Sequence, residues 1–144
     1  MTKLQAIRKF ADTVAQEHVI IVRDDDWSFS MADTKPRMAI PYDLMKNDQG
    51  DKDFRTDFVR RCPIGKGFAN VTLSILHEIG HHFNREVFIF MTDVKEYNEA
   101  QGVDHFKFPC EIVATDWAIN WLQSPENRKI AKAFEKEFFG YGND

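Results

Sequence analysis

Residues 68–84 read Phe68-Ala69-Asn70-Val71-Thr72-Leu73-Ser74-Ile75-Leu76-His77-Glu78-Ile79-Gly80-His81-His82-Phe83-Asn84. Val71, Leu73, Ile75, Leu76, Ile79 and Phe83 recur at helical spacing, which predicts an amphipathic helix with an apolar stripe. His77 and His81 stand four residues apart on it, and Glu78 directly follows the first of them. Residues four apart share a helix face, so both imidazoles can address one ion. Glu78 then points beside that ion rather than at it, where its carboxylate can hold a water. Neutral imidazoles together with a carboxylate suit divalent zinc. The competing reading is a helix that merely carries two histidines. The apolar-periodic helix around the pair is the context the HExxH pattern requires, and it favours the metal.

Upstream, Leu4, Ile7, Phe10, Ala11, Val14 and Ala15 fall on one stripe within Thr2 to Glu17. This predicts a helix covering the core, with Thr2 as its cap. The β-branched run His18 to Val22 predicts a strand. Asp24-Asp25-Asp26 reads as a solvated turn rather than a cation site. Trp27, Phe29 and Met31 alternate with serines and predict a second strand. Arg37 to Ile40 predicts a third, ended by Pro41, and a proline there suits a sheet edge or a strand end. These pieces together predict a small, mostly antiparallel sheet joined by tight turns.

Asp43 to Asp53 reads as a polar loop. Asp53 to Cys62 reads as a helix, with Phe54, Phe58 and Cys62 four apart and Arg55, Arg60 and Arg61 on a solvated face. Pro63 to Gly67 is a break that lacks the spacing of a phosphate-binding loop. Beyond the HExxH helix, Glu86 to Thr92 fits either a strand or a short buried segment. Asp93 to Phe108 reads as a long polar loop. Cys110 to Leu122 is apolar nearly all round and predicts a buried helix. Ser124-Pro125-Glu126 reads as a cap with proline at the first helical position. The final helix runs to about Phe139, with Ile130, Ala133, Phe134, Glu137 and Phe138 on steps of three and four. The expected fold is α+β: an N-terminal helix, the small sheet, the HExxH helix and the C-terminal helices.

Length and composition bound the function. A chain of 144 residues accommodates one ordinary domain, here expected to span residues 1–144. Hydrophobic residues at 43% and charged residues at 29% argue against wholesale disorder. The formal net charge of -4 argues against a general nucleic-acid binder. No stretch reaches the 18 or more apolar residues of a membrane span, and the charged N-terminal stretch lacks the apolar core of a signal peptide. Cys62 and Cys110 do not make a disulfide framework and read as reduced thiols of a cytoplasmic protein, the alternative being a secreted protein with one bridge.

A catalytic zinc usually takes three protein ligands and keeps one position open for water. The extended metzincin pattern would need Gly and His where this chain has Asn84 and Val87, so it is excluded. The downstream candidates for the third ligand are Glu96, Glu99, His105, Glu111 and Asp116. Glu111 is the best of them, being a carboxylate at the start of an otherwise buried helix, where an unpaired charge would be costly. The rival reading is a helix-N-terminal charge favoured by the macrodipole. Ala114 and Ala118 on the same helix are small enough to let it approach the HExxH helix closely. Asp116 is about 140° around the helix from Glu111 and should not share its ion.

These residues resemble a known family. His77-Glu78-Ile79-Gly80-His81, followed about thirty residues later by Glu111-Ile112-Val113-Ala114-Thr115-Asp116-Trp117-Ala118, is similar to the ImmA/IrrE-type metallopeptidases. Their later helix carries E-x-x-A-[N/D]-x-[F/W]-A. Glu111, Ala114, Trp117 and Ala118 match, and the resemblance covers roughly residues 70–122. It implies a zincin-like, gluzincin-type zinc site held by His77, His81 and Glu111. It also implies phage or mobile-element proteins that act on a repressor or regulator. Thr115 stands where the family has Asn or Asp, a position that orients a ligand; either Thr115 takes that part or Asp116 swings in. No helix-turn-helix module of the kind that often accompanies the family is expected within these 144 residues.

The expected function is therefore zinc-dependent hydrolysis of a peptide bond in a protein or peptide substrate. Glu78 would serve as general base. Tyr97 and His105, in the loop between the two helices, are the candidate donors to the oxyanion, against the preferred reading of each as an ordinary loop residue. Cys110, next to Glu111, reads as a buried thiol and His82 as off-site. An extended substrate would add to the sheet edge near Arg37 to Ile40. Two other readings compete. One is a zinc-containing module that regulates a partner by contact without hydrolysis, and the other is a metal-free protein whose HExxH is accidental. The sequence leaves substrate and oligomeric state open.

Overall fold

The computed structural model describes residues 2–32, 35–41, 52–85, 102 and 108–140. Among them are five α-helices and three strands: α1 (Lys3–Ala15), β1 (Ile20–Asp24), β2 (Ser28–Ala32), β3 (Lys35–Pro41), α2 (Lys52–Arg61), α3 (Asn70–Phe83), α4 (Pro109–Leu122) and α5 (Pro125–Gly140). A single 3-10 turn, Pro63–Gly67, separates α2 from α3. The fold is α+β. The predicted segment 86–92 and most of the loop 93–108 lie outside the described residues, as do residues 43–51. No helix among the described residues is long and apolar enough to cross a membrane.

Helix α1 begins as its sequence predicts. Thr2 Oγ1 accepts from Gln5 N, and Gln5 Oε1 accepts from Thr2 N, a reciprocal capping box. It ends at Gln16, whose φ of 58° is left-handed. Ala6, Ile7, Phe10, Ala11, Val14 and Ala15 are buried. Phe10 stacks on Phe134 of α5, with centroids 4.4 Å apart and planes 8° apart, which ties the first helix to the last. At the start of α5, Ser124 Oγ accepts from Asn127 N, the cap expected there.

The sheet departs from expectation. Its strand order is β1-β3-β2. β2 and β3 pair antiparallel, with Phe29 opposite Met38. β1 and β3 pair parallel, with Ile21 opposite Met38. A mixed sheet therefore replaces the mostly antiparallel one, and β3 is central rather than an edge. The physical reason is that a strand flanked on both sides and buried reads as a continuous apolar run, and Met38, Ala39 and Ile40 are consecutive and buried. Pro36 and Pro41 sit at its two ends, where a missing N–H costs the ladder least.

α3 lies at the centre, packed against α4, α1 and the sheet. Every residue from Val71 to Ile79, and on to His82, is buried. Its apolar stripe was expected to include Phe83, which is instead 43% exposed and stacks on Trp117 at 4.9 Å. α4 was expected to be buried all round. Only the face of Cys110, Glu111, Ala114, Thr115, Ala118 and Leu122 is buried, because that face meets α3, while Ile112 and Asp116 are exposed. In α5 the buried residues are Ala131, Phe134 and Phe138, with Ile130 and Ala133 exposed.

Candidate metal centre

The closeness of α3 and α4 comes from small residues. A Cβ built on Gly80 would stand 2.3 Å from the Ala114 carbonyl oxygen and 3.0 Å from Ala114 Cα. Only hydrogen fits there. Ala114 and Ala118 are both fully buried, in keeping with the close approach expected of them. This contact brings a residue from each helix to one point.

At that point Glu111 Oε1 lies 3.0 Å from His77 Nε2 and 3.2 Å from His81 Nε2. The imidazole planes of His77 and His81 are nearly perpendicular, with centroids 4.8 Å apart. Glu78 completes the cluster: one donor atom each of His77, Glu78 and His81 lie within 4.8 Å of one another. All four side chains are buried, Glu111 at 3% exposure. A buried carboxylate against two imidazoles is costly unless charge and hydrogen bonds compensate.

The donor set fits zinc in kind, and its two Glu111–imidazole separations fit as well. Two imidazole nitrogens and one carboxylate oxygen are a frequent catalytic ligand set. In a tetrahedral site with bonds of roughly 2.0–2.1 Å, neighbouring donors stand about 3.3 Å apart. The two Glu111 contacts are close to that separation. The macrodipole reading of Glu111 accounts for its position on the helix but not for its contact with both rings.

His77 is oriented from two sides. Its Nδ1 is 2.9 Å from Thr115 Oγ1. A hydroxyl both donates and accepts, so it can hold the imidazole tautomer that turns Nε2 toward the cluster. Phe54 of α2 presents its ring to the His77 ring at 5.1 Å and 71°. Asp116 does not swing in. It is exposed and ion-pairs with Arg61.

Other expected residues are distributed as follows. Tyr97, His105, Glu96 and Glu99 lie outside the described residues. Cys62 and Cys110 are buried and not disulfide-bonded, and Cys110 Sγ is 3.5 Å from Glu111 Oε2. His82 is off the cluster, with Nε2 3.1 Å from Glu17 Oε2, which joins the end of α3 to the end of α1. The acidic turn makes local bonds: Asp24 Oδ1 accepts from Asp25 N and Asp26 Oδ1 from Trp27 N.

Sequence reading missed the residues that place α3. Its N-cap residue, Ala69, has no capping side chain. Glu135 of α5 supplies one: its Oε2 accepts from Ala69 N at 2.7 Å and from Thr72 Oγ1 at 2.5 Å. Lys132 donates to Gly67 O and lies over the Phe68 ring at 4.6 Å. Arg55, expected on a solvated face, donates to Phe68 O at 2.9 Å and Asn70 Oδ1 at 2.8 Å. No local pattern announces these partners, which come from 63 to 66 residues downstream in the case of Glu135. Gly80 did carry a signal, since a glycine inside an apolar helix marks a close approach.

Comparison with protein-family models, with curated proteins and with solved structures finds no match to this chain.

Proposed function

We propose that the chain is a small zinc-dependent peptidase of the ImmA/IrrE type. In this reading it is a single zincin-like domain working in the cytoplasm on a protein or peptide substrate such as a repressor. The observation that carries the reading is the contact of one Glu111 oxygen with the Nε2 atoms of both His77 and His81, from a helix about thirty residues downstream. His77, His81 and Glu111 would hold the zinc. When bound, zinc supplies Lewis acidity, polarising a carbonyl and lowering the pKa of water toward neutrality.

The chain's own residues do the rest. Glu78, one of whose oxygens stands within 4.8 Å of a ring nitrogen of each histidine, accepts a proton from water and passes it to the departing amine. Thr115 holds His77 through Nδ1, and the low-dielectric surroundings strengthen each of these interactions. Tyr97 and His105 are retained as proposed donors to the oxyanion. Because β3 is central, a peptide that adds to the sheet would do so at β1 or β2. The net charge of -4 favours a protein partner over nucleic acid.

The test begins with elemental analysis, where about one zinc per chain is expected. Glu78→Gln should then keep the zinc and lower peptide hydrolysis by roughly 10²- to 10⁴-fold. A chain without zinc would leave the HExxH accidental. A Glu78→Gln variant that keeps its biological effect would establish action by contact alone.

A further inference from the structure

In its described contacts, Glu111 divides its carboxylate between two kinds of partner. Oε1 faces the imidazoles, 3.0 and 3.2 Å from their Nε2 atoms. Oε2 is 3.5 Å from Sγ of Cys110, the preceding residue, whose thiol donates to it. Both residues are buried, Cys110 at 1% exposure, and Cys110 is not in a disulfide. A thiol is a weak donor. In a dry pocket, however, a carboxylate oxygen has no bulk water to fall back on, and even a weak donor counts.

We infer that Cys110 is a positioning residue for the metal centre, its thiol holding Oε2 so that Glu111 offers the cation a single oxygen. A carboxylate that offered both oxygens to the cation would use up a coordination position that a catalytic site keeps for water. One that is held by its outer oxygen leaves that position open, as a catalytic site requires. The inference rests on the zinc reading above and adds to it a role for the thiol as donor, not as ligand. A hydroxyl should then substitute for the thiol, and an apolar group of similar size should not.

The test compares the full chain with Cys110→Ser, Cys110→Ala and Cys110→Val, using zinc competition against a chelator and the absorption spectrum of the cobalt(II) forms. Cys110→Ala and Cys110→Val should weaken zinc about tenfold, the lower end for groups that orient metal ligands. Cys110→Ser should bind like the parent. The parent's cobalt spectrum should lack a sulfur-to-cobalt charge-transfer band. Such a band would make Cys110 itself a ligand and overturn the inference. Parent-like affinity in Cys110→Val, which fills the space without donating, would overturn it as well. Should Cys110→Ala fail to fold, the serine–valine contrast decides. A parent chain that binds neither metal overturns the zinc reading first, whereas unchanged affinity across the variants overturns only the role of Cys110.

Discussion

The two halves of α3 are both buried, for different reasons. Its first half, Val71 to Leu76, is mainly apolar and fills the core, where each fully buried aliphatic side chain contributes roughly 1.5–3 kcal/mol. Its second half buries His77, Glu78, His81 and His82, side chains whose burial is unfavourable unless each finds a partner. The partners come from elsewhere in the chain: Glu111 and Thr115 on α4, and Glu17 just beyond α1. One half stabilises the fold, and the other draws on that stability to hold a polar cluster together. The contrast teaches that an apolar half can carry a polar half whose side chains are placed by contacts with α4 and with Glu17.

Gly80→Ala gives the sharpest way to break that division. Alanine is normally the better helix former by about 1 kcal/mol, yet here its Cβ would meet the Ala114 carbonyl at 2.3 Å. Net destabilisation of roughly 2–3 kcal/mol is expected, together with weakened zinc binding as Glu111 moves off the histidines. Urea unfolding and metal analysis check both, and a variant as stable as the parent would mean that the helices do not cross so closely. Thr115→Val is expected to act on the second half alone. Zinc affinity should fall about tenfold, equivalent to about 1.4 kcal/mol, with the secondary structure unchanged by circular dichroism. Glu135→Ala should act on the first half alone. Loss of the cap supplied to Ala69 and Thr72 should cost about 1 kcal/mol in unfolding free energy, while zinc affinity measured well below the melting temperature stays constant. A drop in affinity there would merge the two halves into one cooperative unit.

The legible parts share a short range. The cap on Thr2, the cap on Ser124 and the pairing of His77 with His81 each lie within about one helical turn, so neighbouring residues specify them. Glu111 was legible indirectly, through the cost of a carboxylate in an apolar helix. The mixed sheet was not, because short connections suggest that consecutive strands pair, whereas β3 inserts between β1 and β2. Arg55 was misread for the same reason: its acceptors, Phe68 O and Asn70 Oδ1, lie 13 and 15 residues away. Phe83 fits the helical period but emerges at the end of α3, where periodicity says nothing of how far the core extends.

By itself the amino-acid order determined the helices, the local caps of α1 and α5 and the one-turn spacing that puts two imidazoles on a common face, since these follow from interactions inside a few residues. The tertiary structure decided which carboxylate reaches those imidazoles, which hydroxyl steadies His77 and which glutamate caps the helix beneath them. Those choices depend on how closely Gly80 lets two distant helices approach, and packing of that kind is set only when the whole chain has folded.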